Sequence, residues 1–155
     1  MKRDSRLSTV LHALLHMGEH GGPMTSEALG RCLRTNPVVV RRTMGLLRDA
    51  GLVTADRGRA GGWTIEADLS TVTLRDLHEA LGEPALFATG HRSVNPRCLV
   101  EQVVNAAIDQ ALGEAEALLM KRFASVSLAQ LAEDFARRQK ARRRDVKKKG
   151  ARNNV

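Results

Sequence analysis

Apolar residues recur at intervals of three and four near the start of the chain, and this spacing predicts two helices. The first is predicted over residues 6–18, where glycines and a proline follow and end it. The second is predicted to begin at a cap formed by Thr25 or Ser26 and to end at Leu33.

A third helix is predicted after a short turn. Asn36 is suited to cap it, Pro37 suits its first position because the missing N–H would be unpaired there, and Gly51 is expected to end it. Its buried stripe is predicted to consist of Val40, Met44 and Leu47, and its outward face of Val38, Arg41, Arg42 and Gly45.

Two short apolar stretches, Leu52–Ala55 and Trp63–Ile65, predict a pair of strands after the third helix. The loop between them is rich in glycine and contains Arg57 and Arg59. A hairpin of this kind can lie on phosphates or place an arginine in a minor groove. The pattern therefore predicts a β-wing next to a helix-turn-helix unit.

The second half of the chain is predicted to be helical. A short helix over 74–81 is followed by a connection over 82–94, and Pro96 is expected to open a long helix that ends near Ser125. The apolar stripe of the long helix consists of Leu99, Val100, Val103, Val104, Ala107, Ala111, Ala115, Leu118 and Leu119. Such a stripe needs a partner surface, and a second copy of the chain is the economical one.

A last short helix is predicted over 127–136, followed by a polar basic run, 137–155, that is predicted to be disordered. The fold class is thus mainly α with a small β-wing. A winged helix-turn-helix domain occupies 1–81, a linker or candidate sensor loop 82–95, dimerisation helices 96–136 and the basic tail 137–155.

The net charge of +8 is unevenly distributed among the 155 residues. Residues 1–62 carry ten Lys/Arg and five acids, residues 63–136 carry five and eleven, and residues 137–155 carry ten and one. The folded part is therefore polarised, with a basic N-terminal half and an acidic middle. This local asymmetry indicates a nucleic-acid partner better than the overall charge does.

The other compositional features narrow the class of protein. The chain has no apolar run that could span a membrane and no signal-peptide pattern, and its two cysteines do not make a secreted disulfide framework. We therefore expect a cytoplasmic, nucleoid-associated protein with no membrane partner. No arrangement of residues typical of a catalytic site stands out, so we do not expect an enzyme.

Double-stranded DNA is the predicted partner, and the arginines on the third helix are the first candidates for contact with it. Other candidates lie at the two helix N-termini and in the wing. The full set of candidate DNA-binding residues is Thr25, Ser26, Thr35, Asn36, Val38, Arg41, Arg42, Arg48, Arg57 and Arg59.

The cysteines and histidines allow more than one interpretation. Cys98, next to Arg97 and a helix N-terminus, could be a thiol sensor, although a buried small hydrophobic residue is the favoured interpretation. Cys32 is expected to pack in the core. His12, His16 and His20 stand four apart, and we favour a polar face or dimer contact over a metal site.

The segments Thr35–Val53, Arg57–Trp63 and Thr73–Leu77 together resemble the Rrf2 family of bacterial winged-helix regulators, the group of IscR, NsrR and CymR. The resemblance covers roughly residues 5–135. It implies a homodimeric transcription factor, usually a repressor, that binds a near-palindromic operator.

Many members of this family hold an iron–sulfur cluster through three cysteines near the start of the long helix. Cys98 matches the last of these positions, but Leu86 and Arg92 stand twelve and six residues upstream, where the other two would be. The resemblance is therefore to the cluster-free branch, and no cofactor or metal is expected. A small-molecule or oxidant effector is a candidate signal.

The leading hypothesis is a sequence-specific, homodimeric transcriptional repressor. One alternative is a protein-interaction module that holds a metabolic enzyme, with DNA binding secondary. Another is a non-specific nucleoid protein driven by the basic tail.

Overall fold

The structure is a computed structural model that describes residues 5–58, 61–87, 91 and 97–152, with side chains described as far as residue 144. The described chain forms six helices and one two-stranded antiparallel sheet. In chain order these are α1 Arg6–His20, α2 Ser26–Leu33, α3 Pro37–Asp49, β1 Val53–Asp56, β2 Gly62–Ile65, α4 Leu74–Ala80, α5 Leu99–Ala124 and α6 Leu128–Arg152. The mainly helical fold with a small wing is confirmed.

One core, aliphatic except for Trp63, unites α1 to α4, the wing and the first residue of α6. Its most buried side chains, each at most 2% exposed, include Val10, Leu29, Met44, Leu47, Leu77 and Leu128. The long helix α5 contributes none of its side chains to this core.

The two long helices are tied to the core through the turn between them. Leu74 N donates to Val126 O at 3.0 Å, Leu128 N donates to Val72 O at 2.9 Å, and Ala129 N donates to Leu69 O at 2.9 Å. These bonds run from the α5–α6 turn to the segment that leads into α4. Among the described residues, no helix is both long and apolar enough to span a bilayer.

Several predicted boundaries shift. Helix α1 passes through Gly18 because one glycine costs a helix interior only about 1 kcal/mol and the neighbouring Met17 is buried in the core. Each strand lies within one residue of its predicted range. Helix α5 begins at Leu99 because Cys98 is extended and serves as the N-cap; Pro96, the predicted start, lies outside the described residues.

The largest correction concerns the C-terminus. The structure continues α6 from Leu128 to Arg152, where the sequence predicted a helix that ends at Ala136 and a disordered run. The physical reason is that Arg, Lys, Gln and Ala are strong helix formers and that the run contains no proline. Residues 153–155 lie outside the described part of the chain.

Candidate nucleic-acid interface

The turn between α2 and α3 is tight and depends on a glycine. A Cβ on Gly30 would lie 2.9 Å from the carbonyl oxygen of Thr35, so no larger residue fits without a shift. Thr35 N donates to Gly30 O at 2.9 Å, and Arg34 adopts the left-handed φ of 53° that reverses the chain. The half-buried Thr35 therefore holds the turn that places α3.

Side chains cap both helices of this unit. The hydroxyl of Thr25 accepts a hydrogen bond from Ala28 N at 3.1 Å, and Oδ1 of Asn36 accepts one from Val38 N at 2.8 Å. Both caps are exposed. Their role in the helix ends is thus shown, while contact with a phosphate stays a prediction.

Helix α3 has the two faces that the sequence predicted. Val40, Met44 and Leu47 are buried, which confirms the inner stripe. The front is open and partly apolar, because Val38 is 61% exposed and Val39 and Leu46 are also exposed. The sequence interpretation did not single out Val39 and Leu46, since apolar residues are expected to face a core.

The arginines of α3 differ in their surroundings. Arg41 Nη1 lies 3.0 Å from Glu27 Oε1, and Arg48 Nη2 lies 2.9 Å from Asp49 Oδ1. Arg42 is exposed and forms no ion pair within the described part of the chain. It is therefore the arginine of α3 whose guanidinium is not already engaged.

Glu27 was not among the predicted site residues, although it lies in the first turn of α2. Its own backbone N–H, followed by the charge of Arg41, lowers the pKa of its carboxyl. The carboxylate therefore stays ionised to lower pH, and its ion pair with Arg41 links α2 to α3.

The side chain of Ser26, a candidate DNA-binding residue, does not lie on the open surface of the unit. The side chain is buried, at 7% exposure, and its Oγ accepts a hydrogen bond from Trp63 Nε1 at 2.9 Å. The apolar packing of the wing against α2 encloses this hydroxyl. Ser26 is thus a structural residue that joins the wing to the helix-turn-helix unit.

The wing is held against the residue that precedes α2. Met24 N donates to Trp63 O at 3.0 Å, and Trp63 N donates to Met24 O at 2.9 Å. A Cβ on Gly62 would lie 2.8 Å from the Met24 backbone, so glycine permits this approach. Arg57 is exposed at the start of the hairpin loop; Arg59 lies outside the described residues.

Both cysteines are exposed, which contradicts the expected core position of Cys32 and the favoured buried interpretation of Cys98. Cys32 lies on a solvent-facing side of α2, and Cys98 precedes the exposed first turn of α5. The thiol of Cys98 makes no regular capping bond, yet the nearby backbone N–H groups of Glu101 and then Val100 lower its pKa.

Two of the three histidines of α1 lie side by side. His12 and His16 lie with their Nε2 atoms 3.0 Å apart on the surface. Across the described residues, no group of three His, Cys, Asp or Glu side chains could hold a metal ion.

Two helices joined by a tight turn, an exposed α3 and an adjoining hairpin define a winged helix-turn-helix protein of the DNA-binding class. A sequence profile of the Rrf2 family, described as iron-dependent transcriptional regulators, matches residues 3–134. The chain belongs to the Rrf2 family and is a transcriptional regulator.

Individual proteins that resemble this chain in sequence or in structure are also transcriptional regulators. YwnA of Bacillus subtilis, assigned as an HTH-type transcriptional regulator, is 29% identical over 127 residues, which cover 81% of this chain and 92% of YwnA. A crystal structure of a transcriptional regulator from Lactobacillus plantarum matches with a TM-score of 0.71 at 20% identity, over 85% of this chain and 90% of that one. The structure of IscR from T. potens has a similar fold, with a TM-score of 0.56 at 18% identity over 86% and 87% of the two chains.

Proposed function

We propose that this regulator is a homodimeric repressor that binds a near-palindromic operator and works without an iron–sulfur cluster. Each chain offers one reading helix, α3, and one wing. Two chains related by a two-fold axis would place two α3 helices in successive major grooves, roughly 34 Å apart.

The observation that carries the proposal is the uncovered apolar face of α5. Leu99, Val100, Val103 and Leu118 are each at least 70% exposed. Helix α5 has 26 residues, which corresponds to a length of about 39 Å. Its exposed apolar residues run from Leu99 to Leu118, which is about 30 Å, and an uncovered apolar face of this kind is the type of surface that a two-fold dimer buries.

The fold also supports a mechanical link between this face and DNA. Helix α4 packs against both α3 and α5, and the α5–α6 turn is hydrogen-bonded to the segment before α4. A change in how two α5 helices pack would therefore alter the separation of the two α3 helices. Repression would respond to a signal through this change.

The residues around the start of α5 do not provide the thiolate ligands that an iron–sulfur cluster needs. Cys98 is the sole thiol there, the half-buried Leu86 offers no ligand atom, and Arg92, outside the described residues, carries a positive charge. We propose instead that the exposed Cys98 senses an oxidant through its thiolate. It lies one residue before the apolar face of α5, where a modification would disturb dimer packing.

Two valine-to-glutamate variants separate the dimer from the DNA contact. Val103→Glu places a charge on the apolar face of α5, and we expect a monomer by sedimentation and loss of operator binding. Val38→Glu is the matched control, since it makes the same change at another exposed valine on α3. We expect it to remain a dimer and to lose binding through repulsion from phosphates.

The operator for this test is obtained by selecting duplexes from a random library with the unmodified protein. A dimeric Val103→Glu would contradict the proposed interface. A Val38→Glu variant with full operator affinity would contradict the assignment of α3 as the reading helix.

A further inference from the structure

The C-terminal half of α6 is a strongly basic helix that the proposed operator contacts do not use. Residues 137–152 contain ten Lys/Arg and a single acid, Asp145. They are helical throughout and span about 24 Å. We propose that this segment, the basic end of α6, is a second, sequence-independent contact for the phosphates of duplex DNA.

The positive charges are largely uncompensated. Arg137 pairs with Asp134, one turn earlier on the same helix. Five further basic side chains are exposed and form no ion pair with any residue that the structure describes. These are Arg138, Lys140, Arg142, Arg143 and Arg144.

The same charges oppose one another along the helix. Arg138 and Arg142 are four residues apart, as are Lys140 and Arg144, and like charges at this spacing destabilise a helix. A polyanion would remove this repulsion. The helix that the chain adopts is therefore one that an anionic partner would stabilise further.

The segment projects from a fixed base. Leu128, the first residue of α6, is 2% exposed in the core. Phe135 lines a groove together with Leu14 of α1. Gln139 donates a hydrogen bond to Glu19, which also lies on α1. The basic end is thus a continuation of a helix that is anchored to the core and to α1.

The composition favours DNA over a membrane surface. A helix that lies in a membrane interface needs an apolar face that enters the lipid. Residues 137–152 contain only two alanines, one valine and one glycine besides their polar residues, so no such face exists. Phosphate binding requires only positive charge, and the chain belongs to a family of transcriptional regulators.

This inference rests on the proposed DNA function, but it is tested on DNA that contains no operator. Binding of the full chain to a mixed-sequence 30-base-pair duplex is followed by fluorescence anisotropy over a series of salt concentrations. The variant Arg142→Gln, Arg143→Gln, Arg144→Gln removes three charges from the basic end. The matched control Arg75→Gln, Lys121→Gln, Arg122→Gln removes three from exposed positions on α4 and α5.

We expect the α6 variant to reduce the slope of log affinity against log salt by about two to three, because each lost phosphate contact contributes roughly 0.9 to the slope. The affinity near 0.1 M salt is expected to fall by about tenfold or more. The control variant is expected to change neither. Equal effects of the two variants would overturn the proposal, as would loss of binding to phosphatidylglycerol vesicles with duplex binding unchanged.

The outcome is independent of the operator hypothesis. If the unmodified protein selects no preferred sequence, the proposed repressor function fails, while the salt dependence of mixed-sequence binding still decides the role of α6. If selection succeeds and the α6 variant enriches the same sequence with unchanged salt dependence, the operator function stands and the role of α6 is refuted.

Discussion

Trp63 Nε1 donates a hydrogen bond to Ser26 Oγ across 2.9 Å, and both side chains are buried. The bond connects the second strand of the wing to the first turn of α2. Because the backbones of Met24 and Trp63 also pair, the wing and the helix-turn-helix unit form one body. Buried contacts therefore fix the strand β2 of the wing against the residues at the start of α2.

Replacing Ser26 with alanine should destabilise the fold. The indole N–H would be left buried without a partner, which costs about 1–3 kcal/mol, measured as the free energy of unfolding in urea. Trp63→Phe supplies the control because it removes the donor. Ser26→Ala should cost clearly less in that background, and an equal cost in both backgrounds would show that the bond has no energetic role.

Gly45 and Gly113 form a matched pair of helix-interior glycines. At neither position would a Cβ meet another atom within 4 Å, so alanine should stabilise each helix by roughly 0.5–1 kcal/mol. Gly45 follows Arg42 by three residues on the front of α3. We expect Gly45→Ala alone to weaken operator binding, about tenfold, by holding α3 away from the groove floor.

Thermal melting measures the stability of the two variants, and fluorescence anisotropy on the same samples measures their affinity for the operator. Should Gly45→Ala bind as tightly as Gly113→Ala, that part of α3 does not face DNA closely.

The three arginines of α3 should contribute unequally to operator binding. Arg42→Ala is expected to cost about 1–3 kcal/mol, because an unengaged guanidinium on the front can bond a guanine edge. Arg48→Ala should cost less, since Asp49 already holds that side chain. Anisotropy on the selected operator and on single-base variants measures both, and a larger loss for Arg48→Ala would contradict this ranking.

Glu27 of α2 provides a comparison for Arg41, the remaining arginine of α3. Glu27→Gln removes the ion pair that holds Arg41 beside α2. If Arg41 reaches DNA only after it leaves this pair, the variant should bind operator as tightly as the unmodified protein or more tightly. A loss as large as that of Arg42→Ala would instead show that the pair positions Arg41 for contact.

Cys98 should react at a lower pH than an ordinary cysteine. The backbone N–H groups of Glu101 and Val100 lower the pKa of its thiol, so the reactive thiolate forms earlier as pH rises. Alkylation by iodoacetamide in a Cys32→Ser background isolates this thiol. Its rate should reach half its maximum at a lower pH than that of free cysteine, and a coincident or higher midpoint would exclude an activated thiol.

Local sequence features predicted much of this fold. The cap at Asn36, the proline at position 37 and the buried stripe of α3 depend on neighbouring residues, and the structure confirms them. The environment of Ser26 depends on Trp63, 37 residues away, and no local pattern reports such a contact. The exposure of Cys32 likewise depends on how α2 packs.

The continuation of the last helix beyond Ala136 was missed for a different reason. High charge and few apolar residues predict disorder because they cannot build a core, but the same residue types have high intrinsic helix propensity. The continuation of α6 to Arg152 reflects that propensity, together with the anchor at Leu128. Whether the basic end contacts DNA could not be read from charge alone.

Hydroxyl-radical footprinting on the selected operator tests the central claim most directly. A dimer with one α3 helix per half-site should protect two segments on the same side of the duplex, one helical turn or a whole multiple of a turn apart. Both protections should disappear together in Val103→Glu. A single protected segment that persists in that variant would contradict the proposal that the protein binds a near-palindromic operator as a homodimer.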